Sequence, residues 1–117
     1  MSSSYMLLVV EQPNDRRSRP AGEGQDRMNR MVRWGESLKA RGVLEASNSL
    51  RSEAVRVQVQ DSRRSLLDGP FAEAKEMIGG YFLLNCASRD EAIGIAGECP
   101  AAEWATIEVR EIGTCAD

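Results

Sequence analysis

A chain of 117 residues has room for one domain, residues 1–117, with a single core that buries roughly two-thirds of the surface its unfolded form exposes. Its 42% apolar and 28% charged residues exclude a disordered or fibrous chain, and a formal net charge of −3 excludes the general positive field that draws proteins to nucleic acid or anionic membranes. Histidine is absent, so the chain supplies no Ser-His or Cys-His nucleophile pair and no imidazole metal ligand; any proton must move on Asp, Glu, Lys, Tyr or Cys.

The longest apolar run, residues 5–10, falls far short of the roughly 20 residues a membrane helix needs, and no basic segment precedes it as in a signal peptide. Cys86, Cys99 and Cys115 are odd in number and widely spaced, as expected of reduced thiols in a cytoplasmic protein rather than of a disulfide framework or a zinc site. No cofactor and no metal is expected.

In chain order, residues 1–4 are a short polar start expected to fray. Tyr5-Met6-Leu7-Leu8-Val9-Val10 is apolar without alternation, the pattern of a central strand covered on both faces. Residues 11–25 carry two prolines, two glycines, Asn14 and the run Asp15-Arg16-Arg17-Ser18-Arg19, and read as an exposed loop. Its arginines either hold an acidic ligand at a nearby cleft or are solvated.

From Asp26, a plausible cap, Met28, Met31, Val32, Gly35 and Leu38 recur at helical spacing while Arg27, Arg30, Arg33, Ser37 and Arg41 lie away from them, and Gly42 ends the helix. Met28 and Met31 read as gap-filling core residues, and Trp34, at the border of the stripe, as an anchor against the sheet or a partner chain. Residues 43–47 form a short second strand. Residues 54–60 alternate strictly, with Val55, Val57 and Val59 on one face, and Asp61-Ser62 turns the chain back into residues 63–67 as a hairpin.

Asp68-Gly69-Pro70 is turn chemistry, and residues 73–77 are expected to make one helical turn before Gly79-Gly80 releases the chain into a strand over residues 81–86. Ser88 with Glu91 makes a capping-box pattern ahead of the buried stripe Ala92, Ile95, Ala96 and Cys99, and Pro100 stops that helix. Gly94 and Gly97 each cost it about 1 kcal/mol relative to alanine, so it depends on packing against the sheet. Ala105, Ile107 and Val109 alternate with Thr106, Glu108 and Arg110 in a last strand, followed by a loose tail over residues 113–117.

The order strand, helix, strand, inserted hairpin, strand, helix, strand holds two crossover units. Placing the first and third strands at the centre gives an α+β, ferredoxin-like sheet with both helices on one face. Its other face is apolar and uncovered, which predicts a homodimer formed by two such faces.

Asp68 is the candidate catalytic residue: a carboxylate at a cleft mouth, desolvated by Pro70 and Phe71 so that it moves a proton, or else an Asx turn at the hairpin exit. Glu73, Lys75 and Glu76 either orient a polar ligand or form one solvated turn. Tyr5 and Tyr81 either offer hydroxyls to a cleft or belong to the core. One function is a small lyase or isomerase in which Asp68 acts on a cyclic or aromatic substrate whose anionic group is held by Arg16, Arg17 or Arg19; the other is a non-catalytic ligand-binding or regulatory dimer.

Asp68-Gly69-Pro70-Phe71, the charged run after it and Gly79-Gly80-Tyr81-Phe82 together resemble the signature of the YCII-related family of the DGPF type. Residues 5–10 resemble that family's opening strand, Gly42-Val43-Leu44 its helix exit, and residues 88–92 and 107–110 its usual ending, so the resemblance covers nearly the whole chain. It implies a dimeric ferredoxin-like α+β barrel with a small-molecule cleft between sheet and dimer mate. Family members encoded beside alternative sigma factors imply a link to transcription. Some members of the wider family use a His-Asp pair, and here the corresponding helix position falls near Met31.

Overall fold

A computed structural model describes residues 3–69 and 75–116. Strand β1 (Ser3–Glu11) leads through a short helix α1 (Asp15–Ser18) to the long helix α2 (Glu23–Ala40) and strand β2 (Leu44–Ser49). Strands β3 (Val55–Gln60) and β4 (Arg63–Asp68) form the hairpin, and β5 (Met77–Cys86), α3 (Arg89–Glu98), a 3-10 helix at Pro100–Glu103 and β6 (Thr106–Glu111) complete the chain. Four strands make an antiparallel sheet in the order β2-β5-β1-β6. The first and third strands of the ferredoxin-like pattern are therefore central, as their apolar character predicts.

The sheet has two unlike faces. Tyr5, Leu7, Val9 and Glu11 of β1 are buried, while Met6, Leu8 and Val10 between them are only half-buried. The same alternation runs along β5, where Phe82, Leu84 and Cys86 are buried and Tyr81 and Leu83 are half-buried. Leu7 pairs with Phe82 and Val109, so the buried residues line up across the strands. Trp34 and Leu38 of α2 and Ala92, Ile95 and Ala96 of α3 join that face in one core. The other side, where Met6, Leu8 and Val10 lie beside Leu83 of β5 and Glu108 of β6, carries no helix among the described residues.

Local chemistry sets the helix ends. Gly42 takes φ +75°, Gly42 N–H donates to Lys39 O and Val43 N–H to Leu38 O, a Schellman close that a β-carbon would strain. The helix starts at Glu23, three residues before the expected cap at Asp26, because Gly22 at φ +85° lets the chain enter it sooner. Trp34 packs edge-on against Phe82 with ring centroids 4.8 Å apart, so its anchor is the sheet. Ser88 Oγ accepts from Glu91 N–H at 3.1 Å, and Glu91 reaches back to Ala87 N–H at 3.0 Å, one residue outside the cap.

Three boundaries differ from expectation. Ser3 and Ser4 are in strand rather than frayed. Residues 11–25 are not all loop, since they hold α1 and the start of α2. Strand β5 begins at Met77, so Gly79 and Gly80 lie inside it instead of releasing the chain into it, and the helical turn expected over residues 73–77 does not extend to Met77. Residues 73 and 74 lie outside the described residues.

Asp61 and Ser62 take φ +51° and +63°, the two left-handed residues of a type I′ turn, and close the predicted hairpin. Every residue from 50 to 68 is exposed. This projection explains a radius of gyration of 16.2 Å where a compact chain of this length has about 13 Å. No helix among the described residues is long and apolar enough to cross a membrane.

Candidate functional site

Glu11 ends β1 on the helix-covered face and is only 6% exposed. The chain then folds back through α1, which carries Arg16 over the strand end. Arg16 Nε donates to Glu11 Oε2 at 3.0 Å, Nη1 to Leu50 O at 2.6 Å and Nη2 to Gly79 O at 3.0 Å. One guanidinium thus ties the end of β1 to the exit of β2 and the start of β5.

The paired glycines make room for it. A β-carbon on Gly79 would stand 2.4 Å from Glu11 Oε2 and 2.8 Å from Arg16 Nη2, and one on Gly80 would stand 3.0 Å from Asn48 O. Gly79→Ala is expected to displace the ion pair and lower stability by about 2 kcal/mol, read from the urea midpoint. A midpoint within a few tenths molar of wild type would mean that the pair shifts without loss.

A second tier of charge lies behind the first. Asp15 Oδ2 accepts from Arg19 Nη2 at 2.7 Å and Arg27 Nη1 at 3.0 Å, and Arg27 Nη2 donates to Glu23 Oε1 at 3.0 Å. Arg19 Nη2 also lies 3.6 Å from Glu11 Oε1. Arg27 stacks 4.7 Å from the centre of the Trp104 ring. Burial pushes the Asp15 carboxyl up, but the hydrogen bond and charge of Arg19 and then the charge of Arg27 outweigh it and hold the group below its ordinary value.

A depressed carboxyl stabilises the fold above its unfolded pKa of about 4 and loses that contribution as pH falls through the folded value. Acid unfolding of Asp15→Asn is therefore expected to be less steep than that of wild type below about pH 4. Identical acid profiles for the two proteins would count against the pairing.

Between α2 and the β2–β5 end of the sheet these residues border a cleft of about 610 Å³. The sheet contributes Val9, Leu44 and Phe82 to it, and the helix contributes Met28, Met31 and Val32. Met28 and Val32 are 45% and 46% exposed, so the expectation of Met28 as core is corrected. Met28 and Val32 border an open cleft, while Met31 and Leu38 of the same stripe pack on the core. Glu11, Arg16, Arg19 and Arg27 charge one end, and Glu36 and Lys39 stand along the helix.

Of the residues singled out from sequence, the structure brings Arg16 and Arg19 to this cleft. Arg17 is exposed and does not line it. Tyr5 sits in the core, and Tyr81 lies on the open sheet face, where its hydroxyl accepts from Asn48 Nδ2 at 2.9 Å. Asp68 is exposed at the end of β4 and Lys75 is exposed beyond it; Pro70, Phe71 and Glu73 lie outside the described residues. Glu11, Arg27 and Trp104 escaped the sequence reading. The signal for Glu11 was its parity with Tyr5, Leu7 and Val9, which turns a carboxylate inward.

The cysteines are free, and burial pushes the thiols of Cys86 and Cys99 up, away from the reactive thiolate. Among the described residues no group of three or more acidic or cysteine side chains is placed to hold a metal ion.

The sequence model of the YCII-related domain matches residues 3–115 of this chain. A protein of Rhizobium meliloti (strain 1021), described as uncharacterized, is 45% identical over 49 residues, which are 40% of this chain and 40% of that protein. The chain therefore spans about two-fifths of the length of that curated relative.

Proposed function

Since the chain belongs to the YCII-related family, we propose that it acts as a homodimeric small-molecule-binding protein whose ligand is a compact organic anion seated in the cleft beneath α2. The observation that carries this reading is a set of guanidinium groups at one end of an apolar cleft. Four cationic side chains, Arg16, Arg19, Arg27 and Lys39, border it against two carboxylates, Glu11 and Glu36. Arg16 is occupied by Glu11 and two backbone carbonyls, whereas Arg19 and Arg27 share the carboxylate of Asp15, with Glu23 as a second partner of Arg27 and Glu11 at 3.6 Å from Arg19. A ligand carboxylate meets those two, and its apolar body covers Met28 and Val32.

The reading is one of binding rather than turnover. Asp68, the proton carrier of a lyase or isomerase mechanism, is exposed on the hairpin and outside the cleft of its own chain. A dimer that binds an acid without transforming it suits a sensing role, including one linked to transcription. Support for the dimer comes from the open sheet face, where Met6, Leu8, Val10 and Leu83 lie side by side with no helix of the described residues over them.

Titration with a series of aromatic and alicyclic carboxylates, starting at benzoate, tests the site through tryptophan fluorescence, because Trp104 lines the cleft. The expected result is a saturable change that weakens about tenfold or more in Arg19→Met and is missing with the matching amines. Equal binding of acids and amines, or no effect of Arg19→Met, would remove the proposal.

A further inference from the structure

The hairpin is at odds with the rest of the chain. Val55, Val57, Val59, Leu66 and Leu67 are 55 to 66% exposed, and a two-stranded ribbon that buries nothing is marginal in water. Its pairing shows which groups are left over. The turn at Asp61-Ser62 makes Gln60↔Arg63 the first mutually hydrogen-bonded pair, so Gln58↔Ser65 and Arg56↔Leu67 follow it inward, and Gly69 N–H continues the series to Ala54 O at 2.7 Å. The backbone groups of Arg64, Leu66 and Asp68 consequently point away from β3, to the outer edge. Their side chains share one face with their opposite numbers Val59, Val57 and Val55.

We propose that two copies of the chain join through this edge, β4 against β4, antiparallel about a two-fold axis at Leu66. Leu66 then opposes its own copy, and Arg64 of each chain opposes Asp68 of the other. The outward N–H and C=O groups of all three residues find partners, and both rows of valines lie on one face of a four-stranded sheet. Charge selects this register. Centring the axis on Arg64 or on Asp68 sets like charges opposite each other, and the odd-numbered residues already spend their backbone groups on β3. The outer edge of β3 presents only Val55, Val57 and Val59, with no charge to fix a register. Arg64 and Asp68 make no ion pair with one another or with other described residues, so both are available to a second chain. This contact is separate from the open-face dimer and does not rest on it.

A disulfide trap tests the register in the full chain. Hydrogen-bonded antiparallel neighbours have Cα atoms about 5.5 Å apart, within disulfide reach. With Cys115→Ser to remove the exposed thiol, Leu66→Cys is expected to cross-link under mild oxidation at least tenfold faster than Ser65→Cys, whose side chain points to the other face. Adding Arg64→Asp, or separately Asp68→Arg, is expected to slow the cross-link about tenfold, and the two together to restore it. Leu8→Glu on the open sheet face is expected to leave the cross-link unchanged. Equal rates for Leu66→Cys and Ser65→Cys, or a double reversal no faster than either single one, would overturn the proposal. Circular dichroism controls for folding, and because the hairpin contributes nothing to the core the variants are expected to keep the parent spectrum.

Discussion

Arg16→Ala is expected to lower the stability of the fold by about 2 to 3 kcal/mol, a large share of the 5 to 15 kcal/mol that holds a domain of this size together. The substitution leaves Glu11, 6% exposed, with Arg19 at 3.6 Å as its one remaining ion-pair partner among the described residues. It also removes the guanidinium donors to the Leu50 and Gly79 carbonyls, the second of which keeps the N–H of Leu50 at 2.9 Å. Stripping one partner from a buried ion pair costs more than the pair itself contributes, because the remaining charge stays desolvated. The Arg16 side chain is 27% exposed, which puts the loss at the lower end of the usual range. Arg16→Lys keeps the charge but cannot fork to three acceptors, so it is expected to recover less than half of the loss. The readout is the urea midpoint at unchanged slope. A loss below about 1 kcal/mol for Arg16→Ala would show that the strand ends are held by their ladders alone.

Local chemistry was legible in the sequence wherever a residue's partners lie within a few positions. Gly42 ends α2, Ser88 and Glu91 cap α3, Asp61-Ser62 closes the hairpin, and each acts on backbone no more than five residues away. The order of the elements then fixed which strands were central. The cleft was not legible in this way, since Arg16 reaches carbonyls 34 and 63 positions along the chain. In sequence, Gly79 and Gly80 look like chain breakers because turn chemistry and side-chain clearance both select glycine; the position of Glu11 and Asn48 shows that clearance is the cause. Met28 and Val32 illustrate the same limit from another side. A helical stripe records which face is apolar, not whether it meets packed side chains or an open cleft.

Leu8→Glu is expected to convert the proposed dimer to a monomer, raising its dissociation constant more than about a hundredfold. Leu8 lies on the open face of β1, between Tyr81 of β5 and Glu108 of β6. If two such faces pack together, a carboxylate there must give up water among Met6, Val10 and Leu83, and Glu108 beside it adds a like charge. A penalty of about 3 kcal/mol in each of the two symmetry-related places exceeds what the hundredfold change requires. The helix-covered core is left alone, because Leu7 and Val9, not Leu8, point into it. Light scattering across a dilution series gives the mass, and the same series gives a melting temperature that rises with concentration in wild type and stays flat in the variant. A wild-type chain that is monomeric at micromolar concentration, or a variant that dissociates as wild type does, would remove the open-face dimer. The Arg19-dependent titration answers separately for the cleft, because Arg19, Met28 and Val32 border it from the helix side and Leu8 lies on the opposite face of the sheet, so the loss of one reading does not carry the other with it.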